Sequence, residues 1–223
     1  MSEFICKIFE CGFITHDVKY FIVEKPKGFE FISGQACELS INKIGLKEMK
    51  RPFTIASIPD SDFLEFIIKI YDTREDGMTR HLREIKENDE FILSEVFGEI
   101  NYSGKGTFIA GGAGITPFIS IFRQLRKNNL IEGNSLIFSN KTSKDIILEE
   151  DLKALFGDKA IFTLTREKNP SYINERINED FLRKNIKDFS QKFYICGPIR
   201  FVGEIQYMLR KLGVDSSNIV VET

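Results

Sequence analysis

The stretch that most constrains this chain is Gly106-Thr-Phe-Ile-Ala-Gly-Gly-Ala-Gly-Ile-Thr-Pro117, followed by an apolar run to Leu125. Thr107–Ala110 has the composition of a short buried strand. Gly111, Gly112 and Gly114 make a tight turn at which a backbone can approach a ligand closely. Pro117 suits the first turn of a helix, where its missing N–H has no helical partner to lose. Phe118, Ile121, Phe122 and Leu125 fall at helical spacing and form one apolar face. A strand, a glycine turn and a helix N-terminus together make an anion site, with free N–H groups and the positive end of the dipole facing a phosphate. The pattern is G-x-G-x-x-P, short of the full dinucleotide fingerprint G-x-G-x-x-G. A turn that needs glycine only for packing, or the glycine loop of a methyltransferase, meets it equally. Other segments must separate these readings.

The chain has 223 residues, enough for one large domain or two small ones, each with its own core. Its 42% hydrophobic content and net charge of -2, with the signs interspersed, describe a soluble globular protein. No basic patch argues for nucleic acid and no basic amphipathic helix for a membrane surface. The opening Met1-Ser-Glu-Phe-Ile-Cys-Lys is unlike a signal peptide, and no apolar run is long enough to span a bilayer, so a cytoplasmic monomer is expected. Cys6 and Cys11 have the C-x4-C separation of a plant-type iron–sulfur loop, but the C-x2-C step that should follow is absent. No paired CxxC motifs exist for zinc, and His16 and His81 are the only histidines, so no metal site is expected. Cys6, Cys11 and Cys37 read as buried or incidental thiols in a reducing compartment.

Two rhythms divide the chain. Up to about residue 100, short runs combine β-branched and aromatic residues in near-alternation: Phe4–Glu10, Val18–Glu24, Ala36–Ile41, Phe53–Ser57, Phe63–Ile70 and Glu90–Leu93. Turn residues such as Lys25-Pro-Lys-Gly28 separate them, and the spacing predicts a small antiparallel β-barrel. One helix interrupts it, with Asp76 and Thr79 as candidate caps and Met78, Leu82 and Ile85 on its inner face. Beyond Gly104, strands at Thr107–Ala110, Ser135–Asn140, Ala160–Thr165, Lys192–Cys196 and Ile219–Val221 alternate with helices. These are expected at Pro117–Asn128, Glu149–Phe156, Asn178–Asn185 and Pro198–Leu212, the last ending at Gly213. Alternation with near-continuously apolar strands predicts a parallel, Rossmann-like α/β sheet covered on both faces. The expected domains are therefore 1–103 and 104–223.

Arg51-Pro-Phe-Thr-Ile-Ala-Ser57 ends a polar loop and opens an apolar strand. An arginine fixed by the following Pro52 can grip a phosphate in two-pronged fashion, while Phe53 offers a flat face and Thr54 a hydroxyl. That set suits a ligand with both a phosphate and a planar heterocycle, although an edge arginine beside a core phenylalanine would read the same way. Then follow Lys69-Ile-Tyr71, Gly77-Met-Thr79, Val96-Phe-Gly98, the glycine turn through Phe118, and Tyr194-Ile-Cys-Gly-Pro198. In this order and over essentially the whole chain, these segments resemble the ferredoxin–NADP reductase family of two-domain flavoproteins. The family's usual tyrosine in R-x-Y-[ST] is Phe53 here, which loses a hydroxyl and keeps the ring.

The resemblance implies roles residue by residue. Arg51, with Pro52 holding it, binds the flavin pyrophosphate, Phe53 lies against the flavin, and Thr54 hydrogen-bonds the ring nitrogen that accepts the hydride. Ile68, Lys69 and Ile70 offer backbone groups to the flavin's pyrimidine edge, and Gly77, Met78 and Thr79 place amides on the pyrophosphate. Two phosphate contacts favour FAD over FMN. Gly112, Ala113 and Gly114 lie at the NAD(P) pyrophosphate, with Thr116 near the nicotinamide. Cys196, Gly197 and Pro198 repeat the strand–turn–proline–helix logic at a second carboxyl end, and Cys196 positions the nicotinamide without acting as a covalent nucleophile. Thr165-Arg166 resembles the [ST]-R that grips the 2′-phosphate of NADP, which favours NADP(H) over NAD(H); Glu167 follows directly and could neutralise the arginine. Tyr172 and Arg176 are weaker candidates for the adenosine end. Glu222 occupies the acidic position that precedes a closing aromatic in many relatives, here missing.

The expected activity is hydride transfer from NADPH to FAD, followed by single electrons to an acidic carrier such as ferredoxin or flavodoxin. Lys43, Lys47, Lys50, Arg74, Arg80 and Arg83 could supply a basic rim for that carrier. The alternatives are a flavin- or nucleotide-binding subunit that senses without turnover, and a free-flavin or ferric reductase.

Overall fold

A computed structural model of the chain describes residues 3–72, 77–98 and 100–221. It divides into two compact units, one of residues 1–101 with Thr116–Gln124, the other of Tyr102–Ile115 with 125–223.

The first unit is a six-stranded antiparallel sheet of β1 (Phe4–Phe13), β2 (Val18–Glu24), β3 (Ala36–Ile41), β4 (Arg51–Thr54), β5 (Phe63–Lys69) and β6 (Glu90–Phe97), in the order β4-β3-β6-β1-β2-β5. Just past the end of β4, an isolated Ile55–Phe66 bridge and a bond from Ala56 N–H to Glu65 O (2.7 Å) tie the chain to β5, and β4 and β5 themselves form no ladder that would close the expected barrel. Alternating inward residues, among them Ile8, Phe21, Leu39, Phe66 and Phe91, are fully buried and make the core. The sequence predicted a strand from Phe53. The structure starts β4 at Arg51, because β4 is an edge strand and Pro52, lacking an N–H, costs no ladder bond on its open side. A short helix, α1 (Met78–His81), continues into a 3-10 turn over Leu82–Glu84. Thr79 is not its cap: Gly77 takes that position, and the Thr79 hydroxyl accepts from Tyr71 N–H (3.3 Å). Asp76, the other expected cap, lies outside the described residues.

The second unit carries a five-stranded parallel sheet of β7 (Gly106–Gly111), β8 (Ser135–Asn140), β9 (Ala160–Leu164), β10 (Lys192–Cys196) and β11 (Ile219–Val221), ordered β11-β10-β7-β8-β9. The helices of the chain beyond β7 are α2 (Thr116–Lys127), α3 (Glu149–Phe156), α4 (Glu179–Asn185) and α5 (Ile199–Lys211). On one face Ile109, Ile137, Phe193 and Ile195 pack with Phe181 and Leu182 of α4 and Ile205 and Leu209 of α5. On the other, Lys153 of α3 reaches over the ring of Phe162, which packs against Phe138. The end of α5 follows the sequence closely. Gly213 sits at φ +90°, its N–H bonds Arg210 O, and Val214 N–H bonds Leu209 O (both 3.0 Å), the paired bonds of a Schellman stop. Among the described residues, no helix is long and apolar enough to cross a membrane.

Candidate functional site

In the first unit, Arg51 is exposed and lies opposite Leu39, its Nη1 donating to Lys50 O (2.7 Å). Pro52 is exposed, and Phe53 and Thr54 are half-buried on alternate positions of β4. Of the three residues expected to offer backbone groups from β5, only one is placed to do so. Ile70 gives its N–H to Asp17 O (2.7 Å), and Ile68 pairs with Lys19 in the same parity, so both face β2. By the two-residue alternation of an antiparallel ladder, Lys69 turns its N–H and C=O to the open edge. Its ammonium meets Asp17 at 2.5 Å. Among the described residues no side chain caps the first turn of α1 and no acidic residue stands in it, which leaves the N–H groups of Gly77, Met78 and Thr79 suited to a phosphate. A free edge backbone, an arginine and uncapped amides in one unit fit a flavin dinucleotide.

Three of the six cations expected in a basic rim are paired with carboxylates. Lys43 pairs with Asp89, Lys50 with Glu3 and Arg83 with Asp72, at 2.6 to 2.9 Å. Lys47 and Arg80 are exposed, and Arg74 lies outside the described residues.

In the second unit the carboxyl ends of β7 and β10 lock together through their glycines. A Cβ on Gly114 would lie 2.5 Å from the backbone of Cys196 and Gly197, and one on Gly197 would lie 2.8 Å from the ring of Phe201. Gly111 meets the same ring at 3.0 Å. These three glycines are therefore needed for packing. Gly112 differs: it sits at φ +54°, and a Cβ there would meet nothing within 4 Å among the described residues. It is the position at which backbone lies open to a ligand, with half-buried Ala113 beside it and half-buried Thr116 opening α2. Cys196, 8% exposed, ends β10 opposite Ala110, and Pro198 caps α5. The sequence signal for both turns was the glycine pattern, but nothing in it told packing glycines from the open one.

Thr165 and Arg166 follow β9. The Thr165 N–H and hydroxyl both donate to Asn140 O (3.0 and 3.2 Å), and Arg166 N–H donates to Lys141 O (2.9 Å), so the two loops are stitched together. Glu167 does not neutralise Arg166. Its carboxylate accepts from Ser143 N–H (2.7 Å), the Ser143 hydroxyl and the Asn169 amide (3.0 Å), and these bonds, the Ser143 amide foremost, hold its carboxyl below the ordinary value. The Arg166 side chain is exposed. Tyr172 bonds Glu149 (2.8 Å) and, with Lys153, Phe162 and Pro170, lines a groove of about 580 Å³ at the amino end of β9, away from the carboxyl-end turns. Arg176 is exposed, and Glu222 lies outside the described residues.

The cysteines form no disulfide. Burial pushes the Cys6 thiol up to about 12 and raises Cys37 further, so neither is a ready nucleophile.

Sequence comparison decides the family. A model of the FAD-binding domain matches residues 4–130, more than half of the chain, and one of the oxidoreductase NAD-binding domain matches residues 108–206. The chain belongs to the ferredoxin–NADP reductase family. Like the other members of this family, it is an FAD- and nicotinamide-nucleotide-binding oxidoreductase. It is 26% identical to NADH-cytochrome b5 reductase 2 of Mycosarcoma maydis, over 92% of this chain and 68% of that protein. It is also 26% identical to the ferredoxin–NAD(P)(+) reductase component of the naphthalene 1,2-dioxygenase system of Pseudomonas putida, over 93% of this chain and 65% of that one. The fold is shared with a ferredoxin NADP+ reductase from Neisseria gonorrhoeae solved with FAD and NADP (TM-score 0.85, 21% identity, 99% and 98% of the two chains covered). It is shared as well with the flavohem-like FAD/NAD binding domain of nitric oxide dioxygenase from Vibrio cholerae (TM-score 0.87, 19% identity, 97% and 96% covered).

Proposed function

We propose that this family member takes a hydride from NADPH onto FAD and delivers electrons one at a time to a small acidic carrier of the ferredoxin or flavodoxin kind. The flavin, when bound, supplies the conversion of a two-electron donor to one-electron delivery. The chain supplies the rest. Arg51 and the uncapped amides of Gly77, Met78 and Thr79 hold the flavin's diphosphate. Thr54 and the Lys69 backbone fix the edge of its ring system. The open backbone at Gly112 takes the nucleotide's diphosphate, Thr116 stands near the nicotinamide, and Cys196, locked against Gly114, sets the depth at which the nicotinamide seats. Orientation of this kind, without a general acid or base, is what hydride transfer requires.

The observation that carries the choice of donor is Arg166. With Glu167 engaged by Ser143 and Asn169, the exposed guanidinium is available to a 2′-phosphate. The relatives named above include NADH-dependent and NAD(P)-dependent reductases, so both donors belong in the test. Anaerobic titration of the yellow protein should bleach the flavin band with NADPH at lower concentration than with NADH. Arg166→Ala should raise the NADPH requirement roughly 10- to 100-fold and leave NADH within about threefold. Equal loss with the two donors rejects the NADPH preference. A colourless protein, or one whose flavin neither nucleotide reduces, rejects the reading as a whole. Steady-state turnover with ferredoxin, flavodoxin and cytochrome b5 side by side then tests the carrier.

A further inference from the structure

Asn140 ends β8 and is 4% exposed, yet neither its Nδ2 nor its Oδ1 has a hydrogen-bond partner among the described residues. A buried carboxamide with both groups unpaired is rarely kept, because each group has lost water and gained nothing. Its place in the fold says what it faces. Ser139 pairs with Gly111, which puts Asn140 beside Gly112, and the strand lies against the Gly112–Ile115 turn. Alternation along the strand sets its side chain on the Phe138 face, away from the Ile137 face that α4 and α5 cover. Its own carbonyl receives both bonds from Thr165, so the residue stands between the open glycine and the loop that carries Arg166.

We propose that the Asn140 carboxamide is a nucleotide-binding group, engaged by the sugar–diphosphate part of the nicotinamide nucleotide as the Gly112–Ile115 turn shifts to admit it. The chemistry suits that part of the ligand. Nδ2–H donates to ribose or diphosphate oxygens, and Oδ1 accepts from a ribose hydroxyl. A leucine of similar size would fill a purely structural position better, since it buries no polar group. The inference rests on the nucleotide reading of the carboxyl-end turns made above.

The test uses flavin-loaded protein and two substitutions, Asn140→Leu and Asn140→Asp. NADP+ and NAD+ affinities are read by flavin difference spectra, thermal midpoints without nucleotide, and the limiting rate of flavin reduction at saturating NADPH. Asn140→Leu should raise the nucleotide Kd roughly tenfold, keep flavin content and the limiting rate within about twofold, and melt at or above wild type. Asn140→Asp should raise Kd further, because a carboxylate there repels a diphosphate. Wild-type Kd in either variant overturns the proposal, as does an Asn140→Leu protein that folds but melts well below wild type, since the amide's partner is then internal. If the wild type itself binds neither nucleotide, the earlier reading fails; if it binds and the variants are unaffected, only this one does.

Discussion

At the scale of single residues, the four glycines of the two turns illustrate how one residue type serves two purposes. Gly114 is held to zero side chain by the Cys196–Gly197 backbone 2.5 Å away, and backbone cannot swing aside as a flexible side chain can. Gly114→Ala should cost about 1–3 kcal/mol, read as a fall of several degrees in thermal midpoint. It should also slow flavin reduction, because Cys196 must move. Gly112 has room but a left-handed backbone, so Gly112→Ala should cost about 1–2 kcal/mol and act mainly on nucleotide affinity. If Gly114→Ala proves the milder of the two in melting, the packing argument is wrong. The shared pattern was plain in the sequence. Which glycine faces a neighbour depends on β10, some eighty residues further along, and no local signal reports it.

At the scale of an element, α1 is too short to hold itself. Four helical residues and a 3-10 turn give few internal bonds, and nucleation alone disfavours such a helix. Lys19 of β2 supplies what is missing. The residue is 5% exposed, and its ammonium donates to the carbonyls of Leu82, Arg83 and Ile85 at 3.3, 3.0 and 2.5 Å, closing the C-terminal end, with the rings of Phe13 and Phe21 within 5.5 Å. Lys19→Met keeps the stem but removes the ammonium from all three carbonyls; Leu82 O keeps the Ile85 N–H (3.3 Å) and Ile85 O the Cys11 thiol (3.5 Å), while Arg83 O loses its donor. Unfolding in urea should then show a loss of about 1–3 kcal/mol at unchanged slope. Flavin content should fall with it, since the same helix presents the amides of Met78 and Thr79. Unchanged urea midpoint and flavin content would make the lysine incidental. Apolar spacing places this helix in the sequence, but a lysine on a strand some sixty residues earlier that closes its far end leaves no trace in local pattern.

At the scale of the whole molecule, binding is linked to folding. A ligand that binds only the folded chain stabilises it by RT ln(1 + [L]/Kd), about 2.7 kcal/mol at a hundredfold excess over Kd. For a chain of this size FAD at that excess should raise the thermal midpoint by roughly 5–10 °C. Differential scanning of flavin-stripped protein, with FAD and with FMN, checks this and ranks the two flavins. A larger rise with FMN would remove the argument from two phosphate contacts.

The sequence by itself determined the two architectures and the order of their strands and helices. Hydrophobic periodicity is a local property, and it changes from alternation to strand–helix repeat as the chain passes from one half to the other. The motifs proposed to hold a flavin and a nicotinamide nucleotide are likewise contiguous short segments, so they could be read where they stand. What only the tertiary structure decided were the pairings between distant segments: Gly114 against Cys196, Lys19 on the turn that follows α1, Glu167 held by Ser143, and Asn140 buried with no partner among the described residues. Each depends on register between strands far apart in the chain. Register is fixed by the packing of whole faces rather than by any residue's own neighbours.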